Sequence, residues 1–211
     1  MLNLTEEEFI LSSGHILLGS LDEVGRGPLA GPVVAACILI NKNTLETVRN
    51  HPVLLKEVRD SKKLTAKKRE FLFNIIKETV SYGIGICDHN TIDRINILEA
   101  TFLAMKKAIS DLKEKPDYII LDGKFPIPNF STPQKAIIKG DASVFSIAAA
   151  SIMAKVTRDR LMEEYDKKYP GYGFIQHAGY GTKAHLDAIH KFGACPIHRK
   201  TFAPLKDLLK S

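Results

Sequence analysis

Four acidic residues stand out for where they fall. Asp22-Glu23, Asp122 and Asp141 each close an apolar, strand-like run, and each meets a glycine within a few positions. Strand ends are where layered α/β sheets expose groups to a ligand crevice. If those strands are neighbours, four carboxylates converge at one place. Such a cluster is unfavourable by itself, because like charges a few ångströms apart resist joint ionisation. Divalent cations remove the conflict. An all-oxygen set suits Mg²⁺ or Mn²⁺, and the chain offers no His/Cys set with zinc spacing. The plainer alternative for each acid is a turn former or helix N-cap. Asp141 is the most open to it, since Gly140-Asp141-Ala142-Ser143 could equally start the following helix. Adjacent Asp22-Glu23 inside an apolar stretch is harder to explain as capping. On residue types alone, the four support only a weak metal-site hypothesis.

The elements that must position these acids can be read from local pattern. A short acidic segment at the N-terminus is helical. Ile16 to Leu21 reads as a buried strand, and Pro32 to Ile40 as a second. Between them, Gly25-Arg26-Gly27-Pro28-Leu29-Ala30-Gly31-Pro32 lacks the Gly-Lys-Ser/Thr ending of a P-loop. It also lacks the strand–GxGxxG–helix setting of a dinucleotide fold, which leaves a turn between strands as the bland reading. From Thr65 to about Val80, Phe71, Leu72, Ile75, Ile76 and Val80 recur at helical spacing, with Lys67-Lys68-Arg69 as a solvated face. Tyr82 to Cys87 is a short strand whose glycines mark close backbone approach. One helix from about Thr91 to Leu112 carries Leu98, Phe102, Met105, Ile109 and Leu112 on a stripe, and Pro116 stops it. Tyr118 to Leu121 is all apolar, as in a sheet covered on both faces. A strand near Lys135 to Lys139 and a long helix from Ser143 to about Tyr169 follow. Strands alternating with helices indicate an α/β layered domain around a mixed sheet. The remainder, from Pro170, is rich in Gly, His and Pro, with a helix near Lys183 to Lys191 and a short one from Pro204.

A chain of 211 residues, 45% of them hydrophobic, can bury a sizeable core as one domain, or as one domain with a small appendage. Its formal net charge of +6 favours a polyanionic partner without specifying one. The N-terminal residues Glu6-Glu7-Glu8 are acidic where a secretory signal is basic. The longest apolar stretch, Val33 to Ile40, is too short to span a bilayer. Three scattered cysteines, Cys37, Cys87 and Cys195, argue against a disulfide framework and suit a reducing cytoplasm.

The string from Asp22 through Gly25-Arg26-Gly27-Pro28 to Ala35 closely resembles the opening signature of bacterial ribonuclease HII. The resemblance continues in family order. Asp60-Ser61-Lys62-Lys63-Leu64 is similar to the family's DSK segment, and Leu121-Asp122-Gly123 and Lys139-Gly140-Asp141 to its later acidic motifs. Ala149 to Asp159 is similar to its long helix. In the tail, Tyr172-Gly173-Phe174, Gly179-Tyr180-Gly181-Thr182 and His198-Arg199-Lys200-Thr201-Phe202 match as well. The blocks run from about Gly19 to Phe202. Ala178 departs from the pattern, standing where the family usually has Lys before its Gly-Tyr pair. The sister family, ribonuclease HIII, shares the acids but not the Gly-Arg-Gly loop, and carries an additional N-terminal domain.

The resemblance implies a ribonuclease H-like mixed sheet flanked by helices over residues 1–169. It implies a small helical C-terminal part over residues 170–211, which completes the substrate cleft. Asp22, Glu23, Asp122 and Asp141 would hold two divalent ions, Mn²⁺ or Mg²⁺, for in-line hydrolysis leaving 5′-phosphate and 3′-hydroxyl ends. The substrates implied are RNA–DNA hybrids and DNA duplexes containing ribonucleotides, nicked 5′ to the ribonucleotide as in ribonucleotide excision repair. Backbone groups of Gly25, Arg26 and Gly27 would read the 2′-hydroxyl, the group separating RNA from DNA. The Tyr180 ring would stack at the RNA–DNA junction. Lys62 and Lys63 are candidates for phosphate contacts, with a solvated basic surface as the competing reading. Arg199 could bind phosphate, but is read as structural beside His198. His177, His185, His190 and His198 fit no HExxH-type set and are read as surface or packing histidines. The expected state is a cytoplasmic monomer away from membranes. Two alternatives remain: a non-catalytic basic nucleic-acid-binding module, and a nuclease of the same fold with another substrate, such as DNA junctions. Metal-dependent turnover separates the first, and the Gly-Arg-Gly loop with Tyr180 weighs against the second.

Overall fold

The β-branched apolar runs pair into one five-stranded sheet. The computed structural model describes residues 2–208. Its strands are β1 (Leu18–Val24), β2 (Val33–Ile40), β3 (Tyr82–Cys87), β4 (Tyr118–Asp122) and β5 (Gln134–Ile137), in the order β3-β2-β1-β4-β5. β1 pairs antiparallel with β2, and β2 with β3. β1 pairs parallel with β4, and β4 with β5. The sheet is therefore mixed, as the alternation of elements leads one to expect. Its three parallel strands end at one edge, which is where a crevice can form.

The helices are α1 (Thr5–Ser12), α2 (Lys42–Asn50), α3 (Leu54–Glu57), a 3₁₀ turn (Ser61–Lys63), α4 (Ala66–Thr79), α5 (His89–Ile95) and α6 (Ile97–Asp111). They continue with α7 (Gly140–Ser143), α8 (Phe145–Lys168), α9 (Phe174–His177), α10 (Lys183–Phe192) and α11 (Leu205–Leu208). Side-chain alternation sends Leu18, Val34, Ala36 and Ile120 to one face of the sheet, where α8 and α4 cover them. Leu21, Val33, Ala35 and Leu121 point to the other face, beneath α6. Gly83 and Gly85 let β3 lie against α6, since an added Cβ at Gly85 would fall 1.9 Å from the Ala104 carbonyl oxygen. A third cluster joins Leu29, Ala30 and Met162 to Tyr172, Phe174 and Ile197, so the tail packs on the glycine-rich loop and the end of α8.

Several elements differ from the sequence expectation. β1 begins at Leu18 and runs on through Asp22 and Glu23, while Ile16 is 77% exposed. The helix expected from Thr91 to Leu112 is two helices, broken at Asn96. Asn96 adopts φ 67° and its side chain accepts from the amides of Leu98 and Glu99, an N-cap inside an otherwise helical pattern. Leu98, on the first turn of α6, is accordingly outside the stripe and exposed. Phe71 is exposed too, and Phe73 takes its place in the core. The long helix is likewise split: Val144 is extended and forms a parallel bridge with Asn3, leaving α7 as a single turn. α8 lacks a capping side chain of its own. The buried Glu7 of α1 supplies one from a distance, accepting from the Ser146 amide at 2.8 Å. The Lys67-Lys68-Arg69 face is solvated only in part. Arg69 turns inward and donates to the carbonyls of Ser61 and Leu64 and to Asp159, fixing the 3₁₀ turn beside α8.

Candidate active site

Register decides which acids meet. Leu21 lies opposite Leu121 on the parallel strands β1 and β4, so Asp22 and Asp122 come next side by side at the sheet edge. Both share the α8 face with Ile120, on the side of Ser151 of α8, whose hydroxyl is 2.8 Å from that of Ser61 and acts to lower the Asp22 pKa. Asp22 is 5% exposed and its Oδ1 accepts from the Glu23 amide at 2.7 Å. Asp122 Oδ1 accepts from the Gly140 amide at 2.7 Å, which pulls the loop after β5 toward β4 and brings Asp141 to the cluster. Glu23, one residue on from Asp22, alternates toward the α6 side and lies 3.4 Å from Arg26. There it lines a cavity of about 430 Å³ together with Arg26, Leu98, Phe102, Asp122 and Phe125.

The electrostatics are those of a crowded acidic site. Burial pushes Asp22 well above the usual carboxylate range, and the neighbouring charges of Glu23 and Asp122 push it further. Glu23 is raised by burial and by Asp122, against the opposing pull of Arg26. Asp141 is raised by burial, then by Asp122 and Asp60. Lys62 Nζ stands 3.9 Å from Asp141 Oδ2. Partial burial acts to lower its pKa, but Asp141, Asp22, Asp60 and Asp122 outweigh that and hold the ammonium above its ordinary value. As the side chains stand, no three Asp, Glu, His or Cys among the described residues form a ready coordination set. The donors are nevertheless all carboxylate oxygens, mutually repelling and partly desolvated, the condition that hard divalent cations relieve. The donor set fits Mg²⁺ or Mn²⁺.

Next to the acids, the Gly25–Gly27 loop is held from behind. Arg199 is fully buried and its guanidinium donates to the Gly31 carbonyl at 3.0 and 2.9 Å and to the Arg26 carbonyl at 2.9 Å, with a further bond to Gly25. Arg158, equally buried, donates to the carbonyls of Pro32, Ala30 and Ala178. Burial pushes the two guanidiniums down, to about 9 and about 10, which leaves both charged at neutral pH. Arg199 thus takes the Gly25 and Arg26 carbonyls, and the amides of Arg26 and Gly27 are the donors that this stretch offers a ligand. Tyr180 closes the far side. A Cβ at Gly27 would lie 3.5 Å from its ring, and the ring is 43% exposed.

The structure thus groups Asp22, Glu23, Asp122, Asp141 and Lys62, and sets Gly25, Arg26, Gly27 and Tyr180 beside them. Lys63 is exposed and lines a separate depression with Lys56 and Arg59. Arg199 is structural, as expected beside His198. His185 and His198 are packing histidines with no exposed surface, and His190 is exposed. Sequence reasoning gave Asp60, Ser151, Arg69 and Arg158 no individual role at the site, although three of them lie in the family-like motifs. Arg158 sits on a helix whose charged end reads as solvated, and nothing local marks it as the brace of a loop 126 residues earlier.

The chain is similar to known proteins over most of its length. A family model described as "Ribonuclease HII" matches residues 18–205. A relative from Enterococcus faecalis named "Ribonuclease HII" is 55% identical over 205 residues, covering 96% of this chain and 76% of that protein. Among solved structures, the ribonuclease H2 from Pyrococcus horikoshii OT3 superposes with a TM-score of 0.73 at 29% identity, covering 92% of this chain and 98% of the other. Bst-RNase HIII in complex with Mn²⁺ shares the fold, with a TM-score of 0.68 at 20% identity over 92% of this chain and 70% of its own.

Proposed function

Because the chain belongs to the ribonuclease HII family, we propose that its four strand-end carboxylates and its Gly25–Gly27 loop form an active site that cuts at ribonucleotides. The family consists of metal-dependent endoribonucleases that act on RNA–DNA hybrids, and this chain is such a hydrolase. The observation that best supports the site is the pairing of Asp22 with Asp122 at adjacent parallel strand ends, with Asp141 drawn in by the Asp122–Gly140 bond.

Asp22, Glu23, Asp122 and Asp141 would hold two divalent ions, Mg²⁺ or Mn²⁺. When bound, the ions supply Lewis-acid activation of water and charge neutralisation at the reacting phosphate. The protein's part is to orient. Arg199 fixes the loop carbonyls and so aims the Arg26 and Gly27 amides at the ribose 2′-hydroxyl. At Gly27 the missing Cβ leaves room for the sugar beside Tyr180, whose exposed ring stacks at the RNA–DNA junction. Lys62 offsets acidic charge and meets a backbone phosphate. Lys63 meets phosphate farther along the duplex, beside Lys56 and Arg59. The family's usual lysine before the Gly-Tyr pair is Ala178 here, and its backbone carbonyl is bound by Arg158. In this reading residues 1–169 carry the chemistry and residues 170–211 complete the cleft. No helix among the described residues is long and apolar enough to cross a membrane. A monomer in the cytoplasm is the corresponding setting.

The test is cleavage of a DNA duplex carrying one embedded ribonucleotide, with Mg²⁺, Mn²⁺ or EDTA, beside an all-DNA control. Metal-dependent nicking 5′ to the ribonucleotide, leaving 5′-phosphate and 3′-hydroxyl ends with the control intact, is expected. Cutting of long hybrid alone would remove the single-ribonucleotide reading. Cutting of the all-DNA control would remove the 2′-hydroxyl reading.

A further inference from the structure

Behind Tyr180 lies a buried chain of histidines that the chemistry does not use. The Tyr180 carbonyl accepts from the Thr182 amide at 2.8 Å and faces His185 Nδ1 at 2.9 Å. His185 Nε2 lies 3.0 Å from His198 Nε2, and both rings are fully buried. The Cys195 amide reaches His198 Nδ1 at 2.9 Å. His177 sits in the same stack, its ring 4.5 Å from His185, accepting from the Gly179 amide at 3.1 Å and facing the Tyr172 carbonyl at 2.9 Å.

These partners fix every proton. A carbonyl only accepts, so His185 carries hydrogen on Nδ1, and His177 on Nε2. An amide N–H only donates, so His198 Nδ1 is bare toward Cys195. Its 3.2 Å approach to the Cys195 carbonyl is then a close contact rather than a bond. One hydrogen remains for the Nε2–Nε2 contact, carried by His198 and accepted by His185. A second proton on either ring would set N–H against N–H. The titratable and charged groups around the pair are His177 of α9, Tyr172 before it, Cys195 and Arg199 after α10, and His89 of α5. None is a carboxylate, and burial pushes His185 down to about 4 and lowers His198 as well. Every ring nitrogen of the pair is engaged within the protein, which leaves no free lone pair for a metal.

The other end of the chain reaches the glycine loop. His198 pairs with Ala30 in a β-bridge, and the next residue is Arg199, whose guanidinium holds Gly25, Arg26 and Gly31. Leu29 meanwhile donates its amide to the Gly179 carbonyl at 2.8 Å. One dipeptide therefore secures both walls of the gap between Gly27 and the Tyr180 ring. We propose that His185 and His198 are positioning residues for ribonucleotide discrimination, a proton-locked pair that sets the Tyr180 turn at its working distance from the Gly25–Gly27 loop. The inference rests on the reading of that loop and Tyr180 given under Proposed function.

Two measurements on the full chain test it. Long-range ¹H–¹⁵N spectra of histidine-labelled protein at neutral pH should show His185 protonated on Nδ1 and His198 on Nε2, both neutral. Selectivity, read as kcat/KM on a single-ribonucleotide duplex relative to a long hybrid with Mg²⁺, should fall roughly tenfold to a hundredfold in His198→Leu, the scale of a small misplacement. The assay is run well below each variant's melting temperature. His198→Gln, which can return a donor to His185 Nε2, should recover most of the selectivity, and a purely structural role would not produce that recovery. Tyr180→Ala is the control. Opposite tautomers, a charged ring at neutral pH, or unchanged selectivity in His198→Leu when Tyr180→Ala has lost it, would overturn the inference alone. Unchanged selectivity in Tyr180→Ala would overturn the underlying role of Tyr180 and this inference with it.

Discussion

Arg199→Lys tests the account of the loop most directly. The guanidinium has no exposed surface and spans three carbonyls, those of Gly25, Arg26 and Gly31. A lysine ammonium keeps the charge but is a point on a flexible stem, and cannot reproduce the planar fork. It would satisfy about one carbonyl and leave two without their donors. Hydrogen bonds to a charged group contribute about 1.5–3 kcal/mol each, and such losses are not fully additive, so the expected destabilisation is about 3–5 kcal/mol. That is a large share of the roughly 5–15 kcal/mol that holds a domain folded. At about 2–4 °C per kcal/mol for a chain of this size, the melting midpoint should drop by roughly 6–20 °C. Urea unfolding of both proteins gives the free energy, and ribonucleotide selectivity is then measured where both are folded. Arg26→Lys serves as the comparison. Arg26 is half exposed and 3.4 Å from Glu23, so its loss should change stability by less than about 1 kcal/mol. If Arg199→Lys also stays within about 1 kcal/mol of the parent and keeps its selectivity, the guanidinium is not what holds the loop.

Other outcomes follow from the same geometry. Asp122→Asn should abolish metal-dependent cleavage yet keep the fold, because asparagine retains the Oδ1 that accepts from Gly140; near-normal turnover would remove Asp122 from the site. Gly25→Ala should lower stability markedly, since Gly25 has φ 96° and a Cβ there would meet Arg158 Nε at 2.3 Å and the Pro32 carbonyl at 2.6 Å. Gly27→Ala should fold normally but lose cleavage of the ribonucleotide duplex, as its Cβ would sit in open contact at 3.5 Å from Tyr180; equal melting of the two variants would contradict the difference between them. His185 should make folding weaken as pH falls. Burial holds its folded pKa near 4, below the ordinary imidazole value of 6.5, so between those values the unfolded chain binds a proton that the folded chain refuses. Its contribution is complete above about 6.5 and declines by up to about 1.4 kcal/mol per pH unit below that. Asp22, raised in the folded state, acts in the opposite sense. The difference between the parent and His185→Gln in urea midpoints at pH 7 and pH 5 isolates the histidine, and parallel slopes would show that it does not titrate as described.

Local chemistry was legible in the chain. The strands beginning at Val33, Tyr82 and Tyr118 and the helix after Thr65 follow from apolar period, glycine and proline punctuation and a capping threonine, all of which act within a few residues. The family-like motifs were legible for the same reason, as ordered strings of neighbours. The α5–α6 break has a local signal too, since Asn96 before an apolar run is a capping residue, but the stripe from Leu98 to Leu112 reads as one helix.

Tertiary structure decided the rest. That Asp22 stands beside Asp122 depends on β4 pairing parallel with β1, a contact between residues a hundred positions apart that no local periodicity encodes. That Asp22 and Glu23 serve different faces follows from strand alternation only once β1 is known to extend through them. Arg69 and Arg158 read as surface or unplaced cations until their partners, mostly backbone carbonyls, are in view, and the carbonyls that Arg199 holds as a structural residue are likewise visible only in the fold. A carbonyl has no sequence signature, since every residue carries one. The same holds for the buried histidine pair, whose proton arrangement is dictated by main-chain donors and acceptors. The sequence alone determined which chemistry the residues could perform; only their packing decided which of them meet, because convergence depends on pairings across the fold that the chain does not announce locally.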